Sequence, residues 1–327
     1  MSGVITSGEQ VAVVVIRADG SVRLMQPYSE YCYGESSLEI LKVARGSQLL
    51  DLLTTDLAIV KIDDYSQLKI SYCFADDPER RTGEVRILLG RLAEALIVKQ
   101  CNQDVEMNRK WAKLAYRYEV GGVPNVDNYC AVGTGLVSTK NRYPTKYNPS
   151  DTQRDIIWVN KNDFLEELRR NSSSTSAGGY LAGLQVKVSK NLNYLYRQLT
   201  SKFYEVPVVY FDLNRDFEKL SEKLRRDPNA FGGRQSWKIG VNLICGRSIS
   251  QEIHDTLEGF YQLLNAVLEG NLSLSDLVRE DPSIGLAVAA RSIEQPELYR
   301  SEYELGQAAD CSQRVLQVAT VPVSNSY

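Results

Sequence analysis

Short apolar segments alternate with segments of helical spacing through the second half of the chain, and this alternation narrows the possible folds more than any other feature. The apolar segments have the length of strands and occupy residues 154–160, 180–189, 206–213 and 237–245. Segments with the spacing of amphipathic helices occupy residues 191–204, 214–226 and 249–269. The pattern predicts an α/β (α+β) fold in which helices flank a mixed central β-sheet.

Residues 1–78 are predicted to form a separate N-terminal α+β lobe. An apolar strand at 9–17 is followed by an Asp-Gly turn and a second strand, which indicates a hairpin. Helical spacing then covers residues 36–55, with Gly46 as a candidate break, and a second hairpin follows around a pair of aspartates.

The rest of the chain is predicted to contain a core domain at 79–290 and a C-terminal tail at 291–327. Within the core, residues 104–150 are expected to be a long insertion, because much of this segment is rich in Tyr, Asn and Gly. Loops of this length are often functional. The tail contains one candidate strand at 315–323.

Two helices are predicted around the insertion. The first covers 82–103 and carries one apolar stripe at three-to-four spacing, made by Val85, Leu88, Leu92 and Leu96. The second is a short helix at 163–170, with an aspartate near its start and arginines at its end, as the helix dipole favours.

Composition excludes several functional classes. No apolar run approaches the roughly 20 residues that a membrane helix needs, and the N-terminus lacks a signal-peptide pattern, so we expect a cytoplasmic protein without a membrane partner. The 6 cysteines form no CxxC pair, and His254 is the single histidine, which excludes zinc enzymes built on several histidines. His254 lies in a predicted amphipathic helix, where we expect a solvated or capping role.

Charge is unevenly distributed along the chain. The formal net charge is −3, yet residues 104–202 contain 15 Lys and Arg against 9 Asp and Glu. A basic middle region within an acidic chain favours a phosphate-binding face confined to that region. Chance clustering on a solvated surface is the alternative.

Strand alternation groups three polar side chains. Gln185 and Lys187 point to the same face of their apolar strand, and lysine is rarely left in a core without a role. Asp155 begins the strand at 154–160. If the two strands pair, Asp155 lies beside Gln185 and Lys187.

The order of elements around these residues resembles that of the PD-(D/E)XK nuclease superfamily, the fold of many restriction endonucleases. The shared order is a helix, a strand with Asp155, a strand with Gln185 and Lys187, a helix and an apolar strand. Gln185 and Lys187 match the QxK variant of the methyl-directed (Mrr-type) branch. Two features depart from the family pattern. Arg154 stands where the family has proline, and the separation of 30 positions from Asp155 to Gln185 exceeds a bare hairpin and requires an insertion at 163–179.

The resemblance implies a metal-dependent nuclease on a restriction endonuclease-like core. Asp155, Gln185 and an acid on the first helix, Glu94, would hold Mg²⁺, which neutralises phosphate charge and orients an attacking water. Lys187 would polarise that water and stabilise developing charge. The catalytic set implied by the family is therefore Asp155, Gln185, Lys187 and Glu94.

A group of basic residues is predicted to contact nucleic acid: Arg109, Lys110, Lys113, Arg117, Lys140 and Arg142. The first four belong to an aromatic and basic segment that either lines a DNA groove or packs as an ordinary amphipathic helix.

The function expected from the sequence is hydrolysis of phosphodiester bonds in double-stranded DNA by a magnesium-dependent, restriction- or defence-type endonuclease. A homodimer would let two sites cut two strands. The alternative is a protein that binds DNA or a partner without turnover. In that case Gln185 and Lys187 would face solvent on an edge strand, and Glu94 would lie on the wet face of its helix.

Overall fold

The computed structural model describes most of the chain. The described residues are 11–16, 22–27, 37–62, 68–71, 74, 77–116, 125–169, 181–202, 204–227, 237–278 and 318–320. The chain divides into two compact units. One comprises Met1–Tyr72 with Gln262–Tyr327, and the other comprises Cys73–Tyr261.

The protein mixes helices and strands. The strands are β1 Val11–Ile16, β2 Val22–Pro27, β3 Val60–Ile62, β4 Leu68–Ile70, β5 Tyr129–Gly133, β6 Ile156–Asn160, β7 Gln185–Ser189, β8 Val208–Asp212, β9 Leu243–Cys245 and β10 Val318–Thr320. The α-helices are α1 Ser37–Asp51, α2 Pro78–Gln103, α3 Val105–Tyr116, α4 Val137–Arg142, α5 Leu192–Ser201, α6 Phe217–Arg226, α7 Gly246–Ile249 and α8 Gln251–Leu268.

The first unit contains both predicted hairpins. Strand β1 pairs antiparallel with β2 and also with β10, and β3 pairs antiparallel with β4. The predicted break at Gly46 is wrong, because Gly46 lies inside α1. A Cβ there would come 2.4 Å from the carbonyl oxygen of Leu277, so glycine permits a close approach of two backbones.

The second unit is built on a mixed sheet. Strands β5 and β6 are antiparallel, whereas β7, β8 and β9 are parallel neighbours in that order. An antiparallel bridge between Ile156 and Leu184 joins the two groups, and the N–H of Leu184 donates to the oxygen of Ile156 at 2.9 Å. Helices α5 and α6 make the crossover connections that parallel strands require.

Helix α2 covers this sheet and packs on both β5 and β7. Its predicted apolar stripe is confirmed, since these side chains are all buried: Val85, Leu88, Leu92 and Leu96. The helix starts at Asp77, whose carboxylate accepts from the N–H of Arg80 at 3.0 Å, followed by proline in the first turn. Helix α2 is therefore held firmly against the strands.

The segment expected as an insertion contributes to the sheet. It contains α3, α4 and strand β5, whose register places Ala131 opposite Trp158 of β6. The indole N–H of Trp158 donates to Asn108 of α3 at 2.8 Å, so this segment is tied into the core.

The short helix predicted at 163–170 is wrong. This segment instead runs beside β6, where Val159 bridges to Glu167 and Arg169 bridges to Leu181. The N–H of Leu168 donates to the oxygen of Trp158 at 2.8 Å. Pairing with the sheet overrides the helical spacing.

Two further expectations change. The strand predicted at 237–245 forms only at Leu243–Cys245, because a turn occupies 240–242 and Gly240 has a φ of 80°. The solvated or capping role expected for His254 is wrong, since His254 is fully buried within α8. Among the described residues, no helix is long and apolar enough to cross a membrane.

Candidate active site

Strand β7 carries two residues of the candidate site, Gln185 and Lys187. It lies between β6 and β8, and Gln185 is only 3% exposed. The alternative that Gln185 faces solvent on an edge strand is therefore wrong. Its amide Nε2 makes a short hydrogen bond to Oδ2 of Asp155, so the two predicted partners meet side chain to side chain.

Asp155 lies at the entrance to β6 and is fixed from two directions. Its backbone N–H donates to the oxygen of Leu184 at 2.9 Å, and its Oδ2 accepts from the N–H of Val186 at 2.7 Å. Burial raises the pKa of Asp155 to about 6, although the positive charge of Lys187 and the hydrogen bonds from Val186 and Gln185 oppose that rise. Strand β7 therefore holds the carboxyl of Asp155 in place, although burial disfavours its charged form.

Glu94 projects from α2 toward the same point. It is 4% exposed, so the alternative of a wet helix face is wrong. Burial raises its pKa well above the ordinary value, and the nearby negative charge of Asp155 raises it further. Two carboxyl groups therefore share one poorly solvated space.

A glycine turn after β5 positions Glu94. The N–H of Gly135 donates to Glu94 Oε1 at 2.9 Å, and a Cβ on Gly133 would come 2.5 Å from the same oxygen. The hydroxyl of Thr134 donates to the carbonyl of Arg154 at 2.6 Å, which ties the turn to the entrance of β6. Sequence reasoning missed the role of this Gly-Thr-Gly turn in holding an acid.

One oxygen of the site has no partner. The side-chain Oε1 of Gln185 is buried and accepts no hydrogen bond among the described residues. A buried acceptor without a donor is costly, and a native protein usually satisfies such a group. Gln185 thus offers an uncommitted neutral oxygen next to two carboxyl groups.

Lys187 completes the group of predicted catalytic residues. Burial lowers the pKa of its ammonium, whereas Asp155 acts in the opposite direction. Its Nζ lies 5.8 Å from the ring centroid of Tyr204. A lysine with a lowered pKa exchanges its proton more readily near neutral pH.

Arg154 occupies the position where the resembling family has proline. Its Nη1 lies 2.7 Å from Oε2 of Glu167, and its Nε lies 3.6 Å from Oδ2 of Asp151. Lys146 binds the other oxygen of Glu167 at 2.8 Å. These ion pairs fix the backbone just before Asp155, a task that does not need proline.

The predicted nucleic-acid-binding residues on α3 are partly committed to internal contacts. Arg109 pairs with Asp127 at 2.6 Å and with Glu106. Lys110 donates to the carbonyl of Ile249.

The other predicted basic residues lie elsewhere. Lys113 is exposed on α3, and Arg117 lies outside the described residues. Lys140 and Arg142 are exposed at the end of α4, with Arg142 5.3 Å from the ring of Tyr143.

A second cluster of candidate metal ligands lies on α8. Ligand atoms of His254, Asp255 and Glu258 lie within 4.8 Å of one another. Nε2 of His254 is 3.3 Å from Glu258 without forming a hydrogen bond, and Asp255 accepts from Gln251 at 2.7 Å. Exposed acids of this kind are common on helices without a metal.

Comparison with known proteins adds no relative, because no family model, no curated protein and no solved structure matches this chain.

Proposed function

We propose that this protein is a magnesium-dependent endonuclease of restriction or defence type that hydrolyses phosphodiester bonds in double-stranded DNA. We further propose that its second unit is a restriction endonuclease-like core. The order α2, β5, β6, β7, α5, β8 supports that proposal, because it includes the resembling family's sequence of helix, paired strands, crossover helix and parallel strand.

The observation that carries the proposal is the meeting of Glu94, Asp155 and Gln185 beside Lys187. Glu94 comes from α2, Asp155 from the entrance of β6, and the last two from β7. Burying two acids and an unpartnered amide oxygen together destabilises a fold unless something compensates for it. A function that uses these groups explains why the chain keeps them.

The donor set fits Mg²⁺. This cation prefers oxygen ligands, and it is usually held by one or two carboxylates together with substrate phosphates and waters. Glu94 and Asp155 would supply charged oxygens and Gln185 Oε1 a neutral one. Bound there, the ion would supply charge neutralisation at the phosphate.

The chain's own residues account for the remaining steps. Asp155 and Glu94, fixed by Val186 and Gly135, orient the phosphate and the attacking water relative to the sheet. Lys187 Nζ exchanges a proton with that water and faces the charge that develops on the phosphate. Burial lowers its pKa, which favours the proton exchange.

Nicking of supercoiled plasmid tests the proposal. The wild-type protein is expected to nick DNA with Mg²⁺ and to stop when the metal is chelated, and Asp155→Asn is expected to be inactive. Asp255→Asn is the matched control, because it removes a carboxylate from the second cluster on α8. DNA binding without nicking would favour the rival function, a protein that binds without turnover. A homodimer, which we also propose, would convert nicks to double-strand breaks.

A further inference from the structure

Helix α5 runs beside the candidate site and meets α2 there. Both helices pack on β7, and the guanidinium of Arg86 on α2 lies 3.6 Å from the ring centroid of Tyr194 on α5. Arg197 lies one turn further along the same side of α5, and Lys202 follows its last residue. We call these residues the α5 patch: Arg86, Tyr194, Arg197 and Lys202.

The patch is continuous with the candidate site. Nζ of Lys187 lies 5.8 Å from the ring centroid of Tyr204, and Lys202 lies two residues before Tyr204 in the chain. Helices α2 and α5 both pack on β7, the strand that carries Gln185 and Lys187. The patch therefore adjoins the strand of the candidate site.

The chain segment that carries Tyr194, Arg197 and Lys202 contains no acid. Between Glu167 and Glu205 no Asp or Glu occurs. The same stretch contains six basic residues, namely Arg169, Arg170, Lys187, Lys190, Arg197 and Lys202. In a chain with a net charge of −3, such a stretch creates a local positive surface.

The cations of the patch are available for a ligand in a way that those of α3 are not. Arg197 and Lys202 are exposed, and Nε of Arg86 is a buried donor without an acceptor among the described residues. By contrast, Arg109 is paired with two acids, and Lys110 donates to a backbone carbonyl. Exposed guanidinium and ammonium groups such as those of Arg197 and Lys202 suit phosphate oxygens.

We propose that the α5 patch binds the backbone phosphates of the DNA strand that flank the phosphate to be cut. This inference rests on the proposed function and names the surface through which that site receives its substrate. Arg197 and Lys202 contact phosphates, and the Arg86–Tyr194 pair lies between them and the acids. These contacts position the strand and carry no base sequence information.

Fluorescence anisotropy of a labelled DNA duplex in EDTA tests the inference, because binding is then measured without cleavage. The double variant Arg197→Glu/Lys202→Glu is expected to weaken binding at least about tenfold at low salt. It should also reduce the slope of log affinity against log salt by roughly two, since each phosphate contact contributes about 0.9. Lys61→Glu, an exposed charge reversal on β3 of the other unit, is the matched control and should leave the affinity within about twofold. Thermal melts check that all variants are folded.

Three results would overturn the inference: wild-type affinity in the α5 double variant, an equal loss in Lys61→Glu, or binding of phosphatidylserine vesicles in place of DNA. Each is distinguishable from a failure of the proposed function. If the wild-type protein nicks plasmid while the α5 variant binds normally, the proposed cleavage is supported and the proposed role of the α5 patch is wrong. If the variant loses binding while the wild-type protein never nicks, the proposed role of the α5 patch is supported and the proposed cleavage is wrong.

Discussion

At the scale of single residues, the candidate site places the buried carboxyl group of Glu94 and the partly buried one of Asp155 near the partly buried ammonium of Lys187. Burial raises the pKa of both Glu94 and Asp155 and lowers that of Lys187, so each group is held away from its preferred charge state. Such opposed shifts are typical of functional sites, where acids and bases must exchange protons near neutral pH. Substitutions at these residues should therefore change the stability of the metal-free protein.

Gln185→Glu is expected to weaken the metal-free protein and strengthen metal binding. The change replaces the Nε2 donor to Asp155 by a second carboxylate oxygen, and loss of that hydrogen bond should lower the free energy of unfolding by roughly 1–3 kcal/mol. The added negative charge should increase magnesium affinity in calorimetric titration. The exposed Gln48, which accepts from Arg45 at 3.3 Å, provides the control variant Gln48→Glu. Unchanged magnesium affinity in a folded Gln185→Glu protein would contradict the ligand role.

Glu94→Gln is expected to stabilise the metal-free protein at neutral and higher pH. Because burial raises the folded-state pKa of Glu94, the folded state holds its proton more tightly than the unfolded chain. Its contribution to stability is therefore present at low pH and lost as pH rises. For Asp155 the same loss falls between its ordinary pKa of 3.8 and about 6.

Melting temperatures in EDTA across pH check this sign. The wild-type protein should lose stability relative to Glu94→Gln as pH rises, and a gap that stays constant or narrows with pH would contradict the account. Added Mg²⁺ should stabilise only the wild-type protein, since the variant lacks one charged ligand.

At the scale of elements, the turn after β5 could not be predicted from the sequence. Strand β5 is only five residues long, YCAVG, and lies in a segment rich in turn formers, so its pattern alone does not identify a strand. Its position follows from pairing with β6, which is a tertiary effect. The close approach of Gly133 to Glu94 joins residues 39 positions apart, which no local pattern encodes.

Other elements were predictable because local signals agree with the tertiary fold. Helix α2 has both a cap at Asp77 and a continuous apolar stripe, and β7 has strict alternation. Alternation also predicted the meeting of Gln185 with Asp155. The helix expected at 163–170 failed because the ion pairs of Glu167 and backbone pairing with β6 favour an extended ribbon over helical spacing.

Gly133→Ala is expected to displace Glu94 and weaken magnesium binding. Its Cβ would lie 2.5 Å from Glu94 Oε1 and 2.6 Å from Leu136 Cδ1, so the turn must shift, at a stability cost of about 1–3 kcal/mol. Gly90→Ala is the matched control, because no atom lies within 4 Å of its added Cβ. Alanine in the interior of α2 should stabilise the protein by about 1 kcal/mol. Chemical denaturation and calorimetry measure both effects, and equal magnesium affinity in the two variants would contradict the role of the turn.

At the scale of the whole molecule, the candidate site lies entirely within the unit Cys73–Tyr261. Its acids and lysine come from α2, the entrance of β6 and β7, which are distant in sequence and converge only when the sheet forms. Magnesium binding should therefore be coupled to folding of this unit.

Tryptophan fluorescence can follow this coupling, because all 3 tryptophans of the chain, Trp111, Trp158 and Trp237, belong to the unit with the site. All three are buried, so their emission should change on unfolding. Mg²⁺ is expected to raise the midpoint of the fluorescence melt by an amount that grows with its concentration, as ligand linkage requires. A midpoint that does not respond to Mg²⁺, or that responds equally in Glu94→Gln, would contradict binding at this site.

The central claim is that Lys187 and the adjoining acids cut DNA, and a comparison of single-turnover rates tests it most directly. The cleavage rate at saturating DNA and Mg²⁺ is measured for the wild-type protein, for Lys187→Met and for the exposed control Lys61→Met on β3. The account predicts a loss of about 10²–10⁴-fold in Lys187→Met, the usual contribution of a proton-transfer group, and a rate within about twofold of wild type in the control. A Lys187→Met protein that cuts at the wild-type rate, or a wild-type protein that binds Mg²⁺ and DNA without cutting, would contradict it.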